Sequence, residues 1–171
     1  MDIFGSFSDP SQDPERRMAR LSAPTISWTH PIAIEEEIFS KLKTTAKNLP
    51  SMVGGDVIGG GLGKPGKGPL FTNEEICFNG ISPKEGDSFY FPRISEDLVK
   101  VIEPSGIGTY ERMCRTYNYP YTVAVIGFLY FSQSLAAVHG IRISMDIDSE
   151  LHAKGLELYD KLNKQGVQNV L

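Results

Sequence analysis

The pattern of apolar and polar positions predicts one small domain that contains both helices and strands. Residues 121–131 are apolar almost without interruption, which is typical of an element buried on all sides. Residues 141–148 alternate instead, with every second residue apolar, which predicts a strand with one buried face. Because the predicted helices and strands follow no repeating strand–helix–strand order, the predicted fold class is α+β.

Two long amphipathic helices are predicted at opposite ends of the folded part. Residues 31–49 have apolar side chains at helical spacing, acids near the start, lysines near the end and Pro50 as a stop signal. Residues 150–165 form the second helix, with Ser149 as its cap and Gly166 as its end. Residues 121–139 are expected to form a third, buried helix, although its β-branched beginning would also suit a strand.

Shorter elements are predicted between these helices. Residues 76–78 and 89–91 are short apolar runs with turn residues nearby, which indicates a β-hairpin region. Residues 96–103 and 109–117 are predicted to be short helices that end before Pro104 and Pro120.

Two segments fit no regular element. Residues 1–30 contain three of the chain's prolines among polar residues and predict a flexible N-terminal arm. Residues 54–69 are so rich in glycine that they predict a long flexible loop. The predicted organisation is therefore an arm over residues 1–30 and an α+β core domain over residues 31–171, which includes the Gly-rich loop 54–69.

Net charge and cysteine content limit the partners and the cellular compartment that we expect for this protein. The chain has 171 residues, 40% of them hydrophobic, and a formal net charge of −4. This charge gives no overall attraction to nucleic acid or anionic lipid, so any such contact needs a local basic patch. The two cysteines favour a reducing compartment. We expect a cytoplasmic protein that is not secreted and has no transmembrane segment, because no signal peptide and no sufficiently long apolar run is visible.

The sequence motifs that would indicate phosphate, calcium or zinc binding are all incomplete in this chain. Residues 61–67 match the spacing G-x-x-x-x-G-K, but Gly68 follows where a phosphate-binding loop needs Ser or Thr, and no helix is predicted next. The acids from Asp146 onward match part of a calcium-binding loop, but Leu151 replaces its required glycine. The histidines and cysteines lack the spacing of a zinc site. We expect no catalytic residues, no metal and no cofactor.

Candidate contact residues are concentrated in the N-terminal third of the chain. Apolar residues of the arm could dock on their own domain or on a neighbouring subunit. Basic residues in the same region are balanced by acids, so they form either a solvated surface or a patch that meets a partner. The candidates are Phe4, Phe7, Arg16, Arg17, Arg20, Trp28, Lys41, Lys43, Lys47, Lys64 and Lys67.

The order of elements within residues 70–140 adds a family resemblance. A Cys-aromatic-Asn-Gly strand and turn at residues 76–80 precedes a predicted helix at 97–103 and a very apolar segment at 121–137. This layout resembles the matrix proteins of rhabdoviruses, especially the shorter ones of plant-infecting viruses. The resemblance implies a non-enzymatic protein of the virion and host cytoplasm. Such a protein self-associates, often through its N-terminal arm, and links a nucleoprotein–RNA complex to other virion components.

Two features of that family that would support a peripheral membrane contact are missing here, so the resemblance gives little support for such a contact. The lysine-rich N-terminus and the Pro-Pro-x-Tyr motif of the family are not present in this sequence. The leading hypothesis is a structural protein that forms homo-oligomers and bridges a nucleocapsid to its surroundings. The alternative is a monomeric adaptor or host-interaction protein that binds a partner through the Gly-rich loop. A phosphate- or nucleotide-binding enzyme is the third and least favoured hypothesis.

Overall fold

The computed structural model describes residues 23–61, 68–94, 100–102, 108–135 and 140–168. The strands of this part are β1 (Thr25–Pro31), β2 (Leu70–Phe71), β3 (Glu75–Phe78), β4 (Phe89–Pro92), β5 (Lys100–Ile102), β6 (Gly108–Arg115) and β7 (Ile143–Asp146). Its helices are α1 (Glu36–Ala46), α2 (Leu49–Val53), α3 (Thr122–Leu135) and α4 (Ser149–Gln168). The predicted single α+β domain is confirmed.

The strands form two antiparallel sheets. The larger sheet has the order β5-β6-β1-β7, and the smaller one has the order β2-β3-β4. Strand β1 lies inside the larger sheet and pairs with β6 along its whole length, from Thr25 opposite Arg115 to Pro31 opposite Thr109. Its other edge pairs with β7. The first described strand is therefore a central part of the fold.

This position of β1 corrects the predicted arm, which extended to residue 30. Alternate residues Ile26, Trp28 and His30 are buried, whereas the residues between them are half-buried. Such alternation is typical of a strand with one face on the core. The candidate contact residue Trp28 is 2% exposed and packs against Phe89, with ring centroids 5.2 Å apart. It therefore docks on its own domain and cannot be offered to a neighbour.

Two predicted short helices are wrong where the structure describes them. Residues 108–115 form strand β6, and residues 100–102 form β5, which pairs with β6. The local sequences of both segments permit a helix. Their strand conformation follows from pairing, since β6 forms backbone hydrogen bonds with β1 and β5 forms them with β6. Residues 95–99 and 103–107 lie outside the described residues.

The other helices and strands agree with the patterns more closely. Helix α3 resolves the ambiguity of the apolar segment in favour of a helix, and β3, β4 and β7 lie where strands were predicted. The first predicted helix, residues 31–49, is shorter in the structure, because Pro31 ends β1 and α1 covers only Glu36–Ala46. Pro50, predicted to end it, lies in the first turn of the short helix α2. The cap of α4 is Asp148 and not Ser149, since its Oδ1 accepts the N–H of Glu150 at 2.9 Å. Helix α4 also continues past Gly166.

The closest helix packing joins α3 and α4 and depends on two glycines. A Cβ built on Gly127 would lie 2.7 Å from Leu158 Cδ2, and one on Gly155 would lie 2.3 Å from Ile126 Cγ2. Each glycine therefore receives a large side chain of the other helix. The core continues from α3 to the sheets, where Phe128 contacts Phe89 and Phe91 edge to face.

The beginning of the Gly-rich loop is fixed to the smaller sheet. Gly59 and Asn79 exchange two backbone hydrogen bonds, of 2.8 and 3.1 Å. Gly61 is buried, and a Cβ there would lie 2.4 Å from Cys77 Sγ, so the chain passes too close for any other residue. The predicted flexibility does not apply to this part. Residues 62–67, which include Lys64 and Lys67, lie outside the described residues.

Candidate interaction groove

An open groove lies between the region of α2, the start of α3 and one face of α4. Its volume is 460 Å³, within the range of about 300–1,000 Å³ that is usual for ligand pockets. The groove is lined by Met52, Val53, Val57, Asn118, Pro120, Val123, Leu151, Lys154, Glu157, Leu158 and Lys161.

The floor of the groove is apolar and its rim is charged. Val57, Val123 and Leu151 are half-buried, so part of each apolar side chain remains open to a partner. The charged lining residues all belong to α4 and lie exposed. Lys154 pairs with Glu150 at 2.9 Å, whereas Lys161 forms no ion pair with any residue in the described part of the chain. Within the described ranges, the rim therefore carries one paired lysine, Lys154, together with Glu157 and Lys161.

A strained turn forms one end of the groove. Tyr117 and Asn118 have φ angles of 54° and 55°, and the N–H of Tyr119 donates to Thr116 O at 3.0 Å. Two successive residues in the left-handed region normally call for glycine or asparagine, so Tyr117 has an unfavourable backbone conformation. The Asn118 side chain helps to hold it, because Oδ1 accepts the N–H of Asp148 at 3.0 Å. Strain of this kind is concentrated at functional positions.

The described chain begins next to this turn. The N–H of Thr116 donates to Pro24 O at 3.0 Å, so residues 23–24 continue the pairing of β1 beyond β6. Thr116 precedes the groove residue Asn118 by two positions, a path of at most about 8 Å along the chain. Pro24 therefore lies close to the turn that contributes Asn118 to the groove.

A second cluster of polar groups joins the end of β6 to the residues just before β4 and α3 and stabilises the fold. Arg115 Nε donates to Asp87 Oδ2 at 2.7 Å, and the Tyr121 hydroxyl donates to Asp87 O at 2.8 Å. Burial raises the pKa of the Cys114 thiol to about 12 and that of Cys77 to about 11. Both thiols stay protonated at neutral pH, and a protonated thiol is a poor nucleophile.

His30 is also held in a form that does not suit proton transfer. Its Nδ1 accepts from Trp28 Nε1 at 3.1 Å, so the proton is on Nε2, which donates to Pro92 O at 2.8 Å. Burial lowers its pKa from 6.5 to about 3. Both ring nitrogens are occupied inside the core. Across the described ranges, no group of three or more His, Cys, Asp or Glu could hold a metal ion.

The predicted contact residues are not brought together at the groove. Lys41 pairs with Glu37 on α1 at 3.7 Å, and Lys43 donates to Asn73. Lys47 is exposed just beyond the end of α1. Neither these lysines nor Trp28 lines the groove. The other candidates lie outside the described residues: Phe4, Phe7, Arg16, Arg17, Arg20, Lys64 and Lys67.

Comparison with known proteins gave no family model, no curated protein and no solved structure that matches this chain. None of the helices in the described part of the chain has the length and apolar character needed to cross a membrane. The geometry of the groove is therefore the main basis for a functional proposal.

Proposed function

We propose that this protein is a non-enzymatic structural protein of the matrix type, which self-associates when its groove receives an apolar segment of protein. The groove between α2, α3 and α4 is the single observation that carries the proposal. Half-buried Val57, Val123 and Leu151 offer apolar contact area that the described part of the chain leaves partly uncovered. Covering such area stabilises a complex by roughly 25 cal/mol per Å² before the costs of association are subtracted.

A protein segment suits this groove better than a small molecule does. Small-molecule sites combine apolar walls with a few polar groups that fix the orientation of the ligand. The charged groups of this groove stand on its exposed rim, and the side-chain oxygen of Asn118 is already used by Asp148. An apolar floor below a charged rim is the arrangement expected where apolar side chains of a peptide insert and its polar groups stay wet.

Contact with a nucleoprotein–RNA complex remains a further part of the proposal. The basic residues that the structure describes support it only in a limited way, because Lys41 and Lys43 have partners on their own chain. Lys47 is left as the exposed cation near the end of α1. We assign this contact to the basic residues of the N-terminal third as a group and not to a defined site.

Self-association is tested by static light scattering of the full chain over a range of protein concentrations. The weight-average molar mass is expected to rise above 18.9 kDa with concentration. Because the contact is mainly apolar, moderate salt should change the result little, whereas an electrostatic contact would weaken as screening increases. A molar mass that stays monomeric at every concentration would overturn the proposal and favour a monomeric adaptor.

A further inference from the structure

We infer that Asn118 is a positioning residue of the groove, because its side chain holds the first turn of α4 against the turn that precedes α3. The inference rests on the proposed function, since the groove is the site of self-association, and it names a residue that shapes this site before a partner binds. Asn118 lines the groove together with Pro120 and Val123 on one side and Leu151 on the other. Its hydrogen bond, its backbone conformation and the packing of α4 support this role.

The first argument is the connection between the two walls of the groove. Asn118 Oδ1 accepts the N–H of Asp148 at 3.0 Å, across 30 residues of sequence. Asp148 Oδ1 in turn accepts the N–H groups of Glu150 at 2.9 Å and Leu151 at 3.3 Å, which caps α4. Two successive hydrogen bonds therefore lead from the turn to Leu151, where the α4 wall of the groove begins.

The second argument is the type of residue that this position requires. Asn118 has a φ angle of 55°, in the left-handed region, which asparagine, aspartate and glycine adopt more readily than other residues do. Its side chain also supplies the acceptor for the N–H of Asp148. Asparagine and aspartate meet both demands, whereas glycine meets only the conformational one. The acceptor can therefore be removed without a change in backbone conformation.

The third argument is that other contacts hold α4 on both sides of this position. In the middle of the helix, α4 lies so close to α3 that a Cβ built on Gly155 would be 2.3 Å from Ile126 Cγ2. The preceding strand β7 pairs with β1 up to Asp146. The Asn118 contact lies between these two attachments, at the first turn of α4. Its loss is therefore expected to loosen the groove wall around Leu151 while the fold stays intact.

A groove that is held in its binding geometry before a partner arrives binds more tightly, because less conformational freedom is lost in the complex. Asn118 is exposed, so its hydrogen bond belongs to the weaker part of the usual range. We expect its removal to weaken self-association roughly two- to fivefold.

The test compares three variants of the full chain. Asn118→Gly removes the acceptor and keeps the conformation, and glycine takes a positive φ at no steric cost, so this variant should fold. Asn118→Asp keeps both properties and is the conservative variant. Gln133→Ala is the matched control, because it removes another 3.0 Å hydrogen bond between a side chain and the backbone, that of Gln133 Nε2 to Ile141 O, outside the groove lining.

Light scattering over a range of concentrations measures self-association, urea unfolding measures stability, and hydrogen exchange of the monomer measures local opening of α4. Asn118→Gly should weaken self-association by the stated factor and speed up exchange of the Asp148 and Leu151 N–H groups. Asn118→Asp and Gln133→Ala should self-associate as the wild type does.

The inference is overturned if Asn118→Gly self-associates as strongly as the wild type, or if Gln133→Ala weakens self-association equally. A loss in Asn118→Asp as large as that in Asn118→Gly, or unchanged exchange at Asp148, also contradicts it. A wild type that stays monomeric instead refutes the proposed self-association. Because exchange is read in the monomer, it then still decides whether Asn118 holds the first turn of α4.

Discussion

At the scale of single residues, His30 shows how burial sets the chemistry of a side chain. In the sequence, His30 was the last residue of the predicted arm and gave no indication of its partners. In the fold it is enclosed by Trp28, Pro92 and Phe91, the last at 4.5 Å between ring centroids. These partners come from β1 and β4, which are about 60 residues apart in sequence and belong to different sheets. Local pattern alone cannot reveal a contact of this kind.

The lowered pKa of His30 makes stability depend on pH in a defined direction. Between 6.5 and about 3, the unfolded chain binds a proton at His30 that the folded chain does not bind. The free energy of unfolding therefore falls as pH decreases through this range, by up to about 1.4 kcal/mol per pH unit from this group.

Urea unfolding at pH 7 and pH 5 measures this effect in the wild-type chain and in His30→Gln. The glutamine can still donate to Pro92 O but does not titrate. We expect the wild type to lose about 2 kcal/mol more than the variant between the two pH values. An identical pH dependence of both proteins would show that His30 is not buried in its neutral form.

At the scale of elements, the apolar patterns identified the long helices, whereas several strands were missed and two short predicted helices were wrong. The apolar stripes of α1 and α4 and the continuous apolar sequence of α3 are long enough to identify helices. Strand β1 was missed although Thr25, Ile26 and Trp28 favour strands, because the segment was assigned to the proline-containing arm, and β5 and β6 were assigned to short helices. Their conformation follows from pairing between residues that are far apart in sequence.

The packing of α3 on α4 leads to a prediction with a control in the same helix. Gly155→Ala places a Cβ against Ile126, and we expect a loss of about 1–3 kcal/mol of stability from overpacking, partly offset by the better helix propensity of alanine. Gly166→Ala meets nothing within 4 Å, so it should raise stability by up to about 1 kcal/mol. Thermal and urea unfolding of both variants measures the difference. Equal effects of the two substitutions would contradict the proposed close contact.

At the scale of the whole molecule, the groove was beyond the reach of sequence reasoning. Its walls come from the region of α2, from the Tyr117–Asn118 turn with the start of α3, and from α4. The sequence predicted Leu158 as an ordinary core residue of an amphipathic helix and gave no indication that its neighbours enclose an open space. The sequence indicated Phe4 and Phe7 as candidate contact residues, but both lie outside the described residues.

The groove and the exposed outer face of the larger sheet offer a matched pair of substitutions. Val57→Glu introduces a carboxylate into the half-buried wall of the groove. Met113→Glu introduces the same charge at a residue that is 61% exposed and away from the groove. Neither side chain is fully buried, so both variants are expected to fold, which circular dichroism and unfolding curves can verify.

The most direct test of the groove as the site of self-association is the molar mass of these two variants by light scattering at the same high protein concentration. Val57→Glu should remain at or near the monomer mass, because a charge in the apolar groove opposes the insertion of an apolar segment. Met113→Glu should assemble as the wild type does. Assembly of Val57→Glu equal to that of Met113→Glu would contradict the account and place the self-association surface elsewhere.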